Sequence, residues 1–433
     1  MIRFIVADLR RLWLGSLVVV LIVALATALG VAVTLQERAL RLGSARAADR
    51  FDLVVGASGS ETQLILSSVF LQAAPLPLIP GAVLTRLAAD PRVAWAAPVG
   101  FGDSSFGYPI VGTTMPLVLA AGGLTEGHGF EDHEDAVVGS AVALAIGAEV
   151  KPMHGAVGEG GHVHEGTTYH VVGRMPRTGT PWDRAILVPI EAVWHVHGMD
   201  EDHEDGESGP DHDHDHDHAG EAATHDAGAA DHDEAQHDHD DHHDPVALGG
   251  PWSEATPGVP AIIVKPKTIA DAYRLRGEYR TATTLAVFPG EVLTRLYATL
   301  GDARSILSAV ATGAQALVAA AVALVAIAHV GQRRRQIGAL RALGAPRLSV
   351  FGIVWGEIFT IVGLGILLGI AIGYGATLAL SQMLTAANGV ALPVVFEWQD
   401  LGRAAVLVIA AAILSALPAI MAYRQPPAAA LRD

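Results

Sequence analysis

Residues 331–356 read GQRRRQIGALRALGAPRLSVFGIVWG and lie between two long apolar runs. Ile337, Leu340 and Leu343 recur at three-residue steps, the spacing of one helix face. Arg334 and Arg341 are seven apart and share a face. Gly344 offers a left-handed stop, and Pro346 cannot continue the helix. The stretch reads as a short, capped, basic helix shaped to dock into a groove on a partner protein. A basic loop resting on anionic lipid is the plainer alternative.

The flanking runs are Ile306 to Val330, mildly interrupted by Ser308, Thr312, Gln315 and His329, and Val350 to about Leu380, with Glu357 near its start. Two more lie further out: Leu12 to Val33, uncharged behind Arg10 and Arg11, and Ala404 to Ala422. Each is long enough to cross a bilayer. The first exceeds a signal-peptide core, so it reads as a retained span, although Ala26-Thr27-Ala28 resembles a cleavage site.

Basic residues orient the spans. Arg3, Arg10 and Arg11 precede the first, Arg333 to Arg347 join the second to the third, and Arg424 and Arg432 follow the fourth. All fall on one side of a four-span protein, and that side is cytoplasmic. The expected division is a cytoplasmic N-terminus and first span (1–34), an outer domain (35–305), a second span (306–330), a cytoplasmic loop (331–349), a third span (350–383), an outer loop (384–403), and a fourth span with its tail (404–433). The third span carries Gly363, Gly365, Gly369, Gly373 and Gly375. Small residues four apart permit close helix approach, within one chain or between two copies.

Composition agrees with lipid contact: 51% of residues are hydrophobic. The net charge of −17 is local, because residues 200–244 hold 19 of the 45 acids and no Lys or Arg. A basic nucleic-acid footprint is absent. There is no cysteine, so any metal site must use His and carboxylates. The three lysines, Lys151, Lys265 and Lys267, do not follow glycine, so no phosphate-cradling loop exists. ATP hydrolysis would come from another polypeptide.

Arg333-Arg334-Arg335-Gln336-Ile337 followed by Leu340-Arg341-Ala342-Leu343-Gly344-Ala345 resembles the signature of the FtsX/MacB-type ABC transporter permease family, a mechanotransmission class. Gln336 stands where that family usually has Glu. Glu357 and the tail Pro427-Ala428-Ala429-Ala430-Leu431-Arg432 extend the resemblance, and Ala136-Val137-Val138-Gly139-Ser140 extends it more weakly. The resemblance implies that Arg333, Arg334, Arg335, Gln336, Ile337, Leu340, Arg341, Leu343, Gly344 and Ala345 couple to a separate ABC ATPase. It implies a non-catalytic permease in the bacterial inner membrane, with its large domain in the periplasm. It also implies a homodimer, or a pseudo-dimer with a related permease.

The outer domain reads as mixed α+β. Strand-like runs are Phe51 to Val55, Ile186 to Ile190, Ala261 to Val264 and Thr284 to Phe288. Gly81 to Ala89 and Ser140 to Ile146 look helical. Leu293, Leu296, Leu300 and Leu307 form a stripe running into the second span, as a stalk paired with the extension of the first. No catalytic constellation is evident.

Histidines form two groups. Residues 200–244 are a His/Asp-rich insertion, expected to be disordered, holding His212, His214, His216, His218, His237, His239, His242 and His243. Strict His-Asp alternation over residues 211–218 sets imidazoles on one side of an extended chain and carboxylates on the other, a pattern suited to Zn2+ or another divalent transition metal. The second group is His128, His133, His154, His162, His164, His170, His195 and His197. Within it, His162, His164, His170, His195 and His197 are candidates for a folded site. His162-Val163-His164 and His195-Val196-His197 would each put both rings on one face of a strand. Hydrogen-bonded surface histidines are the alternative.

The leading expectation is a permease linked to zinc or other divalent metal handling, with a periplasmic metal-binding or adaptor protein as a further partner. The alternatives are an exporter or lipoprotein-release permease with an accessory His-rich loop, and a regulator of an envelope hydrolase.

Overall fold

The computed structural model describes residues 10, 13–72, 74–155, 164, 166–199, 248–332 and 345–424. Helix α1 (Trp13–Ala48) leads into β1 (Leu53–Ala57), α2 (Glu61–Ser68), α3 (Gly81–Ala89), β2 (Val93–Ser105), β3 (Tyr108–Thr113) and α4 (Met115–Ala120). Next come β4 (Glu126–Gly127), β5 (Asp135–Val138), β6 (Glu149–Val150), β7 (Met153–His154) and β8 (Tyr169–Arg174). A 3-10 turn at Pro181–Arg184 precedes β9 (Ile186–Pro189) and α5 (Ile190–Val196). The domain closes with β10 (Ala261–Pro266), α6 (Ile269–Glu278) and β11 (Thr284–Val287). Three long helices follow: α7 (Pro289–Gln332), α8 (Arg347–Asn388) and α9 (Trp398–Arg424).

The strands form one mixed sheet in the order β11-β1-β10-β2-β3-β9-β5-β8-β4, with β6 on β8 and β7 on β2. Of these pairings, β3–β9 and β5–β8 are parallel. Alternation along the central strands feeds two cores. Leu53, Val55, Ile262 and Val264 pack on one face, and Val54, Ala261 and Ile263 on the other. The continuous apolar run of β10 follows from burial on both faces. Two helix starts are fixed by side-chain caps: Ser60 Oγ accepts from the Gln63 amide, and Thr268 Oγ1 from the Asp271 amide.

Ser140 to Ile146 is not a helix. The amides of Gly139 and Ala141 donate instead to the carbonyls of Ala185 and Asp183, at 2.9 and 2.8 Å. Partners distant in sequence thus claim the donors that a helix start would offer.

Among the described residues, three helices are long and apolar enough to cross a membrane: α1, α8 and the Trp398–Met421 part of α9. The expected second span, 306–330, lies within α7. Gly365, Gly369 and Gly373 of α8 pack against α1, and a Cβ on Gly369 would lie 2.5 Å from the Ala24 carbonyl oxygen. Gly363 and Gly375 face open space. The glycine seam at positions 365, 369 and 373 is therefore a contact within one chain.

Beyond the apolar parts, the helices fasten to the outer domain. Tyr297 on α7 donates to Ser44 Oγ on α1 at 2.7 Å. Arg184 donates to the Ala386 carbonyl near the end of α8 at 2.7 Å, and the Ala391 amide donates to the Gly179 carbonyl at 2.9 Å. Gly389 ends α8 with a φ of 74°, the left-handed cap that glycine adopts without a Cβ clash.

Candidate metal centre

The β2–β3 pairing slips between Phe101 and Asp103, so the strand is irregular at this point. Short strand β7 pairs with β2 there, setting His154 directly opposite Asp103, while the Gly155 amide donates to the Gly102 carbonyl. His164 is anchored by its amide, which donates to the Pro152 carbonyl at 3.0 Å. His197 arrives from the other side as the C-cap of α5.

Asp103 Oδ1 is the common neighbour. It lies 3.3 Å from His154 Nδ1, 3.6 Å from His197 Nε2 and 3.7 Å from His164 Nε2. One ligand atom from each of the four residues lies within 4.8 Å of every other. Zinc–donor bonds of about 2.0–2.1 Å in a tetrahedron would leave donors roughly 3.4 Å apart. The three separations from Asp103 lie near that spacing, and the group as a whole, within 4.8 Å, would draw together around an ion.

Two further observations fit a cation here. Asp103 Oδ1 and His164 Nε2 are buried without a hydrogen-bond partner. Such atoms cost free energy unless something satisfies them. His197 Nδ1 lies 2.8 Å from the Val193 carbonyl oxygen, which can only accept, so Nδ1 carries the proton. In the neutral ring Nε2 then presents its lone pair toward the Asp103 carboxylate oxygen, an arrangement that a metal ion between them would relieve. A backbone carbonyl fixing the far nitrogen is the usual outer support of a ligating imidazole. Nearby, burial pushes the buried Tyr169 phenol up, and the Asp103 charge adds to the shift. One carboxylate with three imidazoles suits Zn2+, Cu2+ or Ni2+.

The expected candidates divide. His164 and His197 join the cluster. His170 sits on β8 beside Glu134, with 3.7 Å between His170 Nε2 and Glu134 Oε2. His195 and His197 are not on a strand. Helix α5 begins after Pro189 and buries every residue from Ile190 to Trp194, and on a helix rings two apart diverge. His162 and the histidines of 200–244, including His212, His214, His216, His218, His237, His239, His242 and His243, lie outside the described residues. So does the coupling stretch from Arg333 to Gly344; Ala345 alone is described. His154 was a candidate histidine but not in the expected folded set, and Asp103 carried no motif. Its one sequence signal is that it is the sole charged residue between Arg92 and Glu126, and an acid buried among uncharged residues needs a partner.

Residues 308–428 match the family described as FtsX-like permease C-terminal. No curated protein matches the chain. Among solved structures, the periplasmic region of MacB from Actinobacillus actinomycetemcomitans aligns at 7% identity and a TM-score of 0.32, covering 58% of this chain and 95% of that one. The extracellular domain of the noncanonic ABC-type transporter YknZ from Gram-positive bacteria aligns at 8% identity and a TM-score of 0.28, covering 54% and 98%.

Proposed function

We propose that this chain, a permease of the FtsX/MacB type by the match of residues 308–428, relays the ATP-driven motion of a separate ABC ATPase to an outer domain that handles zinc or a related divalent metal. The observation that carries the metal reading is Asp103 Oδ1 ringed by three imidazoles, with unsatisfied ligand atoms pointing inward. The relay reading is supported by the continuous helices α1 and α7, bridged by Tyr297 and Ser44, and by the contacts of Arg184 and Gly179 with the end of α8. In this reading α7 supplies the second of four spans, and the ATPase docks on residues 333–345 at the cytoplasmic face of a bacterial inner membrane. The chain itself catalyses no reaction. The His/Asp-rich residues 200–244 gather ions loosely, and the folded cluster holds one ion specifically. The working unit is a dimer, with itself or with a related permease, and a periplasmic metal-binding protein exchanges metal with the cluster.

Zinc titration of the full chain in detergent, with and without residues 200–244, tests the metal reading. The shortened chain is expected to keep one tight site. Asp103→Asn with His197→Ala is expected to weaken it by more than about 100-fold, beyond the range for losing an outer-shell partner alone. If the shortened chain takes up no zinc at micromolar concentrations, the cluster is not a metal centre.

A further inference from the structure

The metal-ligand cluster forms one end of a cleft of about 1030 Å3, where β2 and β3 face the outer ends of α1, α7 and α8. Pockets for small organic ligands commonly occupy roughly 300–1,000 Å3. This one is far larger than a bare ion needs. Asp103 and His154 line it directly, and His154 is the most open ligand, its side chain 60% exposed. The coordination sphere is therefore accessible from the cleft.

Most of the remaining wall is apolar, including Phe70, Leu76, Leu78, Phe101, Leu296 and Leu392. Arg184 is the one Lys or Arg among the described lining residues. Its guanidinium lies 5.1 Å from the centre of the Tyr108 ring. A divalent ion on one carboxylate and three neutral imidazoles keeps a net positive charge, and Arg184 adds another. An apolar wall strengthens the attraction of both charges for an anion. Leu71, which lines the cleft, and Phe106, next to the lining Gly107, are the two non-glycine residues with positive φ among those described, each at 51°. Such backbone strain gathers at binding sites.

Resting on the metal reading above, we propose that the cleft takes its metal as a chelate: the complex of a divalent ion with an anionic organic chelator that has a largely apolar body. The ion stays on Asp103, His164 and His197, and the chelator's donor atoms take the place of the exposed His154 imidazole. The body lies along Phe101, Leu76 and Leu78, and an acidic group approaches Arg184.

Equilibrium dialysis of the full chain in detergent against 8-hydroxyquinoline-5-sulfonate, an anionic aromatic chelator, tests this with and without zinc. Parallel cells with zinc alone, compared between the parent and the Asp103→Asn, His197→Ala variant, separate the metal centre from zinc held by residues 200–244. The chelator is expected to stay with the protein only when zinc is present. Asp103→Asn with His197→Ala, which keeps residues 200–244, is expected to abolish retention. Leu78→Asp places a negative charge at an exposed wall position, so it leaves the core intact. It is expected to lower retention about tenfold, or roughly 1.4 kcal/mol, with zinc binding unchanged. Thermal unfolding checks that each variant is folded. Zinc uptake with the chelator lost to the dialysate would overturn the proposal alone. Retention without zinc would mark simple adsorption to apolar surface, and undiminished zinc-dependent retention in the double variant would place the chelate on residues 200–244; either overturns it. Equal uptake of zinc alone by the parent and the double variant would remove the metal centre and this proposal together.

Discussion

Arg38 and Asp400 meet through two parallel hydrogen bonds, Nη1 to Oδ2 at 2.6 Å and Nη2 to Oδ1 at 3.0 Å. Arg38 Nη1 also donates to the Val395 carbonyl at 3.0 Å. The two side chains are 6% and 10% exposed, so the pair is desolvated. It ties the outward extension of α1 to the start of α9. A buried pair of this kind adds little over a well-packed apolar pair, but losing one partner strands the other. Arg38→Met is expected to destabilise the protein by about 3–5 kcal/mol. Arg38→Met with Asp400→Leu should recover most of that loss. Thermal unfolding in detergent measures both, and a single variant as stable as the parent would show that the clamp does not hold α1.

The glycines of α8 give a paired comparison within one helix. At Gly369 a Cβ would press on the Ala24 carbonyl oxygen and on the Thr27 Cβ at 2.6 Å. At Gly363 it would meet nothing within 4 Å. Gly369→Val is expected to cost about 1–3 kcal/mol, the range for overpacking a tight contact. Gly363→Val is expected to leave bundle stability nearly unchanged. Equal losses at both positions would mean that Gly363 also faces a neighbour, such as a second copy of the chain.

These contacts show which parts of the structure could be read from sequence. The helices α1, α8 and α9 were legible because a long uncharged apolar run has few other stable forms. Strand β10 was legible because both its faces are buried, and α3 because its apolar residues recur at helical spacing. Ser140 to Ile146 misled because its neighbouring backbone donors are claimed by residues 183–185, which no local pattern reveals. His195-Val196-His197 misled because alternation fits a strand, whereas this stretch closes a helix that starts at Ile190. Asp103 was hidden because its meaning depends on β7 lying across from it. In sequence alone it looks like any acid on the open side of a strand.

Glu191 yields a pH prediction of definite sign. Its carboxyl is buried, Oε1 accepts from the Gly249 amide at 2.8 Å, and Oε2 has no hydrogen-bond partner. Burial pushes its pKa up, opposed by hydrogen bonds from its own and the Gly249 amides and by the His133 charge. The folded state therefore binds a proton more readily than the unfolded state does. The carboxylate's destabilising effect is absent below the unfolded value near 4.5 and is complete above the raised folded value. Glu191→Gln is expected to be more stable than the parent at neutral pH, with that advantage shrinking on acidification. Denaturant midpoints measured between pH 4 and 8 check this (a pH-independent difference would mean that burial does not raise the Glu191 pKa in the folded protein).

The coupling role proposed for residues 333–345 makes the most direct claim on function. If Arg334 and Arg341 share the docking face of a short helix, reversing both charges should break contact with the ATPase and leave the outer domain intact. Arg334→Glu with Arg341→Glu is expected to lower stimulated ATP hydrolysis to the level of the ATPase alone, while thermal unfolding and zinc uptake stay at parental values. Gln336→Glu restores the acid usual in the family and supplies a second arm. It is expected to preserve or raise stimulation, because the proposed docking segment gains one ion-pairing group. Full stimulation in the charge-reversed protein would place the ATPase contact elsewhere. Loss of stimulation together with loss of zinc uptake would show a folding defect instead. Only loss confined to ATP hydrolysis supports these residues as the joint between the ATPase and the membrane helices.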